Sequence, residues 1–344
     1  MAKPAVQSTR HTLPDDPVAV WEYFYERGWC DGLPIIPPTP ERVAAMLEGV
    51  GRDLQDVVAR LSPSHAEVTV EKIAVNAVMA GCRPGSLPVL MAAVEGIAEP
   101  RFLLLPMGTP PATPLMILNG PIRHELGINC GYSALGGVTR SNATLGRALR
   151  LVTLAVGMGG TATIADQATH GLPTRISFCL GENEEASPWP PLHVDRGFKP
   201  DDSTVTVVNV VSPVNIVDQD AKSADALITT LAGSMTMQGS NNMSHSPAEP
   251  FLLLGLNHAR MLASEGLSKN DVQRRLRDQA FLPFEAFSPD LQESMRKGGR
   301  PVEDGHVHIV KEPEDLQIFV AGGLGPHSQF FTTLGRPVTT LVSI

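Results

Sequence analysis

Two stretches of this chain concentrate the side chains that hold anions and move protons. The first runs Asn119-Gly-Pro-Ile-Arg123, on to Asn129, and ends at Arg140-Ser-Asn142, directly after the apolar run Pro114–Asn119. Amides and guanidinium groups cannot be buried unpaired. A loop rich in them is therefore either a dense polar network or a binding site, and Arg offers a planar fork that suits carboxylates. The loop feeds a helix expected from Thr144, whose N-terminus would favour an anion. The second stretch, Glu182-Asn-Glu184-Glu185 with Trp189 and His193, gathers carboxylates and an imidazole. Acid/base chemistry needs such groups with their pKa values pushed apart by burial. The expectation is that Arg83, Asn119, Arg123, Asn129, Arg140 and Asn142 bind the substrate, and that Glu182, Glu184 and His193 carry its protons.

Further candidates are scattered. Cys82 is the thiol to test first, and Asp31 lies in the turn Cys30-Asp31-Gly32 between two helices. Asn241 and Asn242 follow Gly239, and Gly323 and His327 sit in Gly322–Ser328, where glycines let a ligand approach the backbone. Each has a structural alternative: Asp31 as a turn acceptor, Arg83 on a helix dipole, each cysteine as a small buried hydrophobe. The His306-Val-His308 pair shares a strand face, but its spacing is weak support for a metal, and no metal is expected. CxxC, GxGxxG, Walker A and GxSxG patterns are absent, so the sequence names no cofactor and leaves that open.

Elements to position these residues can be read from pattern. Hydrophobic residues are 42% and charged residues 18%, enough apolar surface for a large core. Net charge is −9 without basic clusters, which argues against nucleic acid. No apolar run approaches the roughly 20 residues of a membrane span. Residues 1–15 read as a flexible, solvated tail and the protein as cytoplasmic.

Helices are expected at 16–26, 41–48, 68–82, 87–97, 144–156, 221–232, 258–265 (capped by Asn257) and 269–280 (capped by Ser268 with Asp271). Strands are expected at 102–105, 114–119, 176–180, 204–210, 251–255, 306–311, 316–320 and 338–344. The alternation gives an α/β fold with mixed, partly parallel sheet layers. It divides into lobes 16–200 and 201–344. An echo between 73–97 and 227–263, each helix, turn, Pro, apolar run and helix, raises an internal duplication. A homo-oligomer is expected.

The motifs GWCDGLPIIPPTPERV, VTVEKIAVNAVMAGCRP, NGPIRHELGIN, SNATLGRALRLV, GENEEASPWPPLHVDRGF and VAGGLGPHS together resemble an uncharacterised bacterial family. Its members are often encoded beside, or fused to, a small domain with a Cys/selenocysteine-Gly-Ser-Cys motif. The resemblance covers nearly all of residues 16–344 and implies an enzyme subunit working with a small thiol or selenol partner protein. The chain departs from the pattern at Cys30 and Cys130, where Thr or Ser is expected, and at Leu256-Asn257, where Pro-Glu is more usual. Two functions are consistent with this. One is an enzyme acting on a small anionic substrate by acid/base chemistry, of lyase or hydratase type. The alternative is a non-catalytic or redox subunit that positions the thiol partner.

Overall fold

The computed structural model describes residues 6–104, 109–159, 166–245 and 248–343. Helix α1 (Pro17–Glu26) starts where the Asp16 carboxylate accepts from Val18 N, and α2 (Pro40–Met46) is capped by Thr39. A hairpin of β1 (Val57–Leu61) and β2 (Ala66–Thr69) leads into α3 (Val70–Ala80), which Gly81 ends at φ 87. Then come α4 (Leu87–Ala98), β3 (Thr113–Asn119), α5 (Ile122–Glu125) and α6 (Arg140–Val152). The first half closes with β4 (Cys179–Gly181), α7 (Leu192–Asp195) and β5 (Thr204–Val217). The second half holds α8 (Ala224–Met235), α9 (Asn241–Ser244), β6 (Phe251–Leu254), α10 (Leu256–Ser264) and α11 (Lys269–Gln279). It continues through β7 (Phe281–Pro283), α12 (Pro289–Lys297), β8 (His306–His308), β9 (Gln317–Val320) and β10 (His327–Leu341).

Six strands form one sheet in the order β4-β3-β5-β10-β6-β9. β3 runs parallel to β4 and antiparallel to β5; β6 runs parallel to β9 and antiparallel to β10. The long strands β5 and β10 pair antiparallel at the centre. Triplet β3-β4-β5 and triplet β6-β9-β10 thus repeat one topology about the β5–β10 seam. The α/β class stands, with parallel and antiparallel pairs mixed in a single curled sheet.

The curl comes from the packing. Leu115 and Ile117 of β3, Leu180 of β4, Val208 of β5, Phe251 and Leu253 of β6, Phe319 of β9 and Phe331 of β10 make one buried cluster. Both edge strands contribute to it, so the sheet wraps around it. Asn183 N, just past β4, donates to Val320 O of β9 at 2.8 Å, joining the two edges. Alternate residues face outward: Met116 and Leu118 pack with α3, α4 and α6, whereas Leu252, Leu254, Ile318 and Val320 pack with α8, α10 and α11.

Several expectations are corrected. The strand expected from Phe102 begins instead as a 3₁₀ turn, Pro100–Phe102, with Leu103 at φ 57; the rest of 102–105 reaches position 105, outside the described residues. Gly255 rather than Asn257 caps α10. The final strand starts at His327, because β10 pairs along β5 from that residue. The 73–97 echo pairs a helix, α4, with a strand, β6; the repeat that the sheet displays instead matches β3 with β6. It places β5 with the first half. Within the expected tail, residues 7–11 make contacts. Gln7 N and Ser8 N donate to the buried Glu71 carboxylate at 3.0 and 2.7 Å, and His11 Nδ1 lies 2.9 Å from the Tyr23 hydroxyl.

Candidate functional site

The topological repeat makes two corresponding strand ends, one past β3 and β4 and the other past β6 and β9. In each a glycine comes directly after the first strand. A Cβ on Gly120 would lie 2.1 Å from Asp202 O, and one on Gly255 would lie 2.1 Å from His327 O. At both, the backbone turns away where it touches the start of the neighbouring long strand. A serine there accepts from the backbone at the start of the next helix: Ser203 Oγ from Ile122 N at 3.0 Å, and Ser328 Oγ from Gly255 N at 3.2 Å. Three residues past the glycine stands a buried polar group, Arg123 in one half and His258 in the other.

The first end is filled. Glu182 is wholly buried and accepts from Asn119 Nδ2 at 2.6 Å, Leu192 N at 2.7 Å and Val320 N at 3.4 Å. Burial pushes its carboxyl above the usual range. Glu184 accepts from Asn119 Nδ2 and Gly120 N and lies 2.8 Å from Arg123. Arg123 also donates to the carbonyls of Gly120 and Glu182 and, as a fork, to Glu185 at 2.9 and 3.2 Å. That guanidinium holds Glu185 down to about 2. Every nitrogen of Arg123 therefore has a partner within the chain, which leaves none for a substrate anion. Segment 182–203 folds over this end, burying Trp189, Leu192 and His193, and Trp189 Nε1 donates to Leu267 O. His193 Nε2 meets Pro200 O at 3.3 Å. Three buried atoms here, Asn119 Oδ1, His193 Nδ1 and Thr204 Oγ1, make no hydrogen bond to the described residues.

The second end is open. Its connection, residues 321–326, is short and glycine-rich, and it leaves a cavity of about 300 Å³. Ser133–Gly136 form one wall, with Gly255, Ala321–Gly325, Asn215, His327 and Ser328 around the rest. Asn129 and Asn142 build that wall: Asn142 Oδ1 accepts from Asn129 N at 2.8 Å, and Asn142 Nδ2 reaches the carbonyls of Asn129, Ala134 and Cys179. Gly322 N donates to Cys130 O at 2.8 Å, tying the wall to the glycine loop. Helix α10 opens at Gly255, so its N-terminal dipole points to this side. At Gly323 it is the chain's own Tyr132 ring that makes the close approach, 2.1 Å from where a Cβ would stand. A larger cleft of about 690 Å³ lies beside Asp195 and Arg196, whose charges are already engaged by Lys269 and by Thr339, Gln317 and Pro337.

The structure thus brings Asn119, Arg123, Glu182 and Glu184 together with His193 nearby, and brings Asn129, Asn142, Gly323 and His327 to the cavity. The others stand apart. Asp31 is a bidentate partner of Arg147 at 2.8 Å. Cys82 Sγ lies 3.4 Å from Thr144 O, and burial pushes its thiol up to about 12, so it stays protonated. Arg83 and Arg140 are exposed near the start of α6, Arg140 donating to Gly81 O. Asn242 is spent on Thr333 of β10, and Asn241 opens α9. His306 and His308 flank the Phe281 ring. Among the described residues no group of three or more His, Cys, Asp or Glu side chains is placed to hold a metal ion, and no helix is long and apolar enough to cross a membrane.

Sequence reading missed His258, Asn215 and the 133–136 wall. Aligning NGPIR with LGLNH would have set His258 opposite Arg123. Scans against family models, curated proteins and solved structures match nothing to this chain.

Proposed function

We propose that the chain is an enzyme, or the catalytic subunit of one, that takes a small molecule into the cavity at the ends of β6 and β9. The molecule carries or develops negative charge and is worked on by acid/base chemistry. The observation that carries the reading is the cavity itself, built at the carboxyl ends of a parallel strand pair, where open α/β sheets bind ligands. Two features support its charge preference. The α10 N-terminus opens on it, and among the described residues no Asp or Glu lines it. His327 and the Ser328–His258 pair are the proton-carrying groups within reach. The role expected for Arg123 and Glu182 moves accordingly from substrate to scaffold.

The test is binding. Small carboxylates such as acetate, malonate and benzoate, titrated into the labelled protein, are expected to shift the amide resonances of Gly322, Gly323 and Gly325. Shifts confined to the exposed Arg83 and Arg140 region would sink the cavity reading. A second reading, a subunit that seats a small thiol or selenol protein, is favoured by one observation. Tyr132, Val138 and Leu324 are exposed apolar side chains on the loops forming the cavity rim. Saturable binding of a Cys-Gly-Ser-Cys peptide that shifts these three residues is expected on that reading.

A further inference from the structure

We infer that Ser328 is an acyl-accepting nucleophile and His258 its base, at the wall of the same cavity. The inference rests on the cavity reading above and adds the chemistry. His258 Nε2 lies 3.0 Å from the Asp218 carbonyl oxygen, which can only accept. In the neutral ring the proton is therefore on Nε2, leaving a lone pair on Nδ1. Ser328 Oγ is 2.7 Å from that Nδ1 and already accepts from Gly255 N, so its own hydrogen points to the imidazole. This is a hydroxyl held against a base, with a backbone donor on the oxygen where alkoxide charge would develop.

Holding the backbone at the helix start explains only part of this. Ser203 accepts from Ile122 N at the start of α5 in the other half and has no hydrogen bond to an imidazole among the described residues, and the corresponding position there is the fully engaged Arg123. Both Ser328 and His258 are buried, so the base is kept in one orientation, yet Ser328 forms part of the cavity wall. The wall adds the polar side chains of Asn215, His327 and Gln329 to the apolar Ala134, Leu253 and Ala321, and among its described residues it offers no Lys or Arg to neutralise a transferring phosphoryl group. That favours a small carboxylic ester or thioester.

In the step, Ser328 Oγ bonds to the acyl carbon while its proton passes to His258 Nδ1. The carbon–leaving-group bond then breaks, and the imidazolium returns the proton to the departing alkoxide or thiolate. Water, deprotonated by the same imidazole, hydrolyses the acyl-serine and restores both groups. Negative charge on the carbonyl oxygen develops on the side where α10 begins.

The test uses the full chain and a fluorophosphonate probe, which loses fluoride to an activated serine. One covalent adduct is expected by intact mass, mapped to the peptide containing Ser328. It should be absent in Ser328→Ala and formed at least tenfold more slowly in His258→Gln. Turnover of p-nitrophenyl acetate should fall with the adduct in both variants. No adduct on Ser328 in the unaltered chain overturns the inference, and this arm needs no variant to fold. If carboxylates still shift the glycine loop in that case, only the nucleophile is lost. If they do not, the cavity reading falls with it.

Discussion

The two ends of the curled sheet share a topology and differ in the segment that leaves the second strand. Past β4 the chain inserts segment 182–203, which carries six carboxylates; past β9 it inserts only 321–326, half of it glycine. The same backbone frame, with Gly120 and Gly255 each pressed against a neighbouring carbonyl, yields a packed ionic knot at one end and a cavity at the other. What differs is side-chain volume. Trp189, Leu192 and His193 occupy the first end, while Gly322, Gly323 and Gly325 leave room at the second. Charge alone is thus a poor guide to function here. The most charged segment spends its carboxylates on Arg123 and Lys269, and the open one is nearly free of charge.

The largest effect is expected at the matched pair Arg123 and His258. Removing the buried Arg123 strands the half-buried Glu184 and two carbonyls, so Arg123→Ala should cost about 3–5 kcal/mol by urea unfolding. His258→Ala leaves one carbonyl and one hydroxyl and should cost about 1–3 kcal/mol. Equal losses would undo the contrast between scaffold and site.

The two glycines come next and test the shared frame. A methyl at either position meets a carbonyl oxygen 2.1 Å away, so Gly120→Ala and Gly255→Ala should each destabilise, by about 1–3 kcal/mol. Gly120 sits at φ 77, in the left-handed region, whereas Gly255 sits at φ −67. Gly120→Ala should therefore lose about 1 kcal/mol more. A tolerated Gly255→Ala would mean that the halves do not share the constraint.

The smallest effect is in pH. Glu185 is held down to about 2, so between there and the usual carboxylate range the unfolded chain binds more protons and stability rises with pH. Glu182 is pushed above that range by burial, so beyond it the folded chain binds more protons and stability falls as pH rises through the folded value. Unfolding midpoints measured across acidic pH should lose the falling limb in Glu182→Gln and the rising limb in Glu185→Gln. A Glu182→Gln profile that keeps its falling limb would place the buried charge elsewhere.

Local signals settled much of the secondary structure. Thr39-Pro40, Ser268 with Asp271, and the Gly81 stop set helix ends through hydrogen bonds a few residues long, and the run PLMILN reads best as a buried strand. Sequence also marked both polar loops and the glycine loop as special, because amides, guanidinium groups and glycines in such numbers demand either partners or unusual backbone. It did not decide which loop is filled and which is open. Arg123 finds Glu184 and Glu185 some sixty positions away, and Ser328 finds His258 across seventy. The first distance closes when β3 pairs with β4, and the second when β6 pairs with β10. Binding or bracing is a matter of whether a polar group's hydrogen bonds are already satisfied, and only the tertiary structure satisfies them.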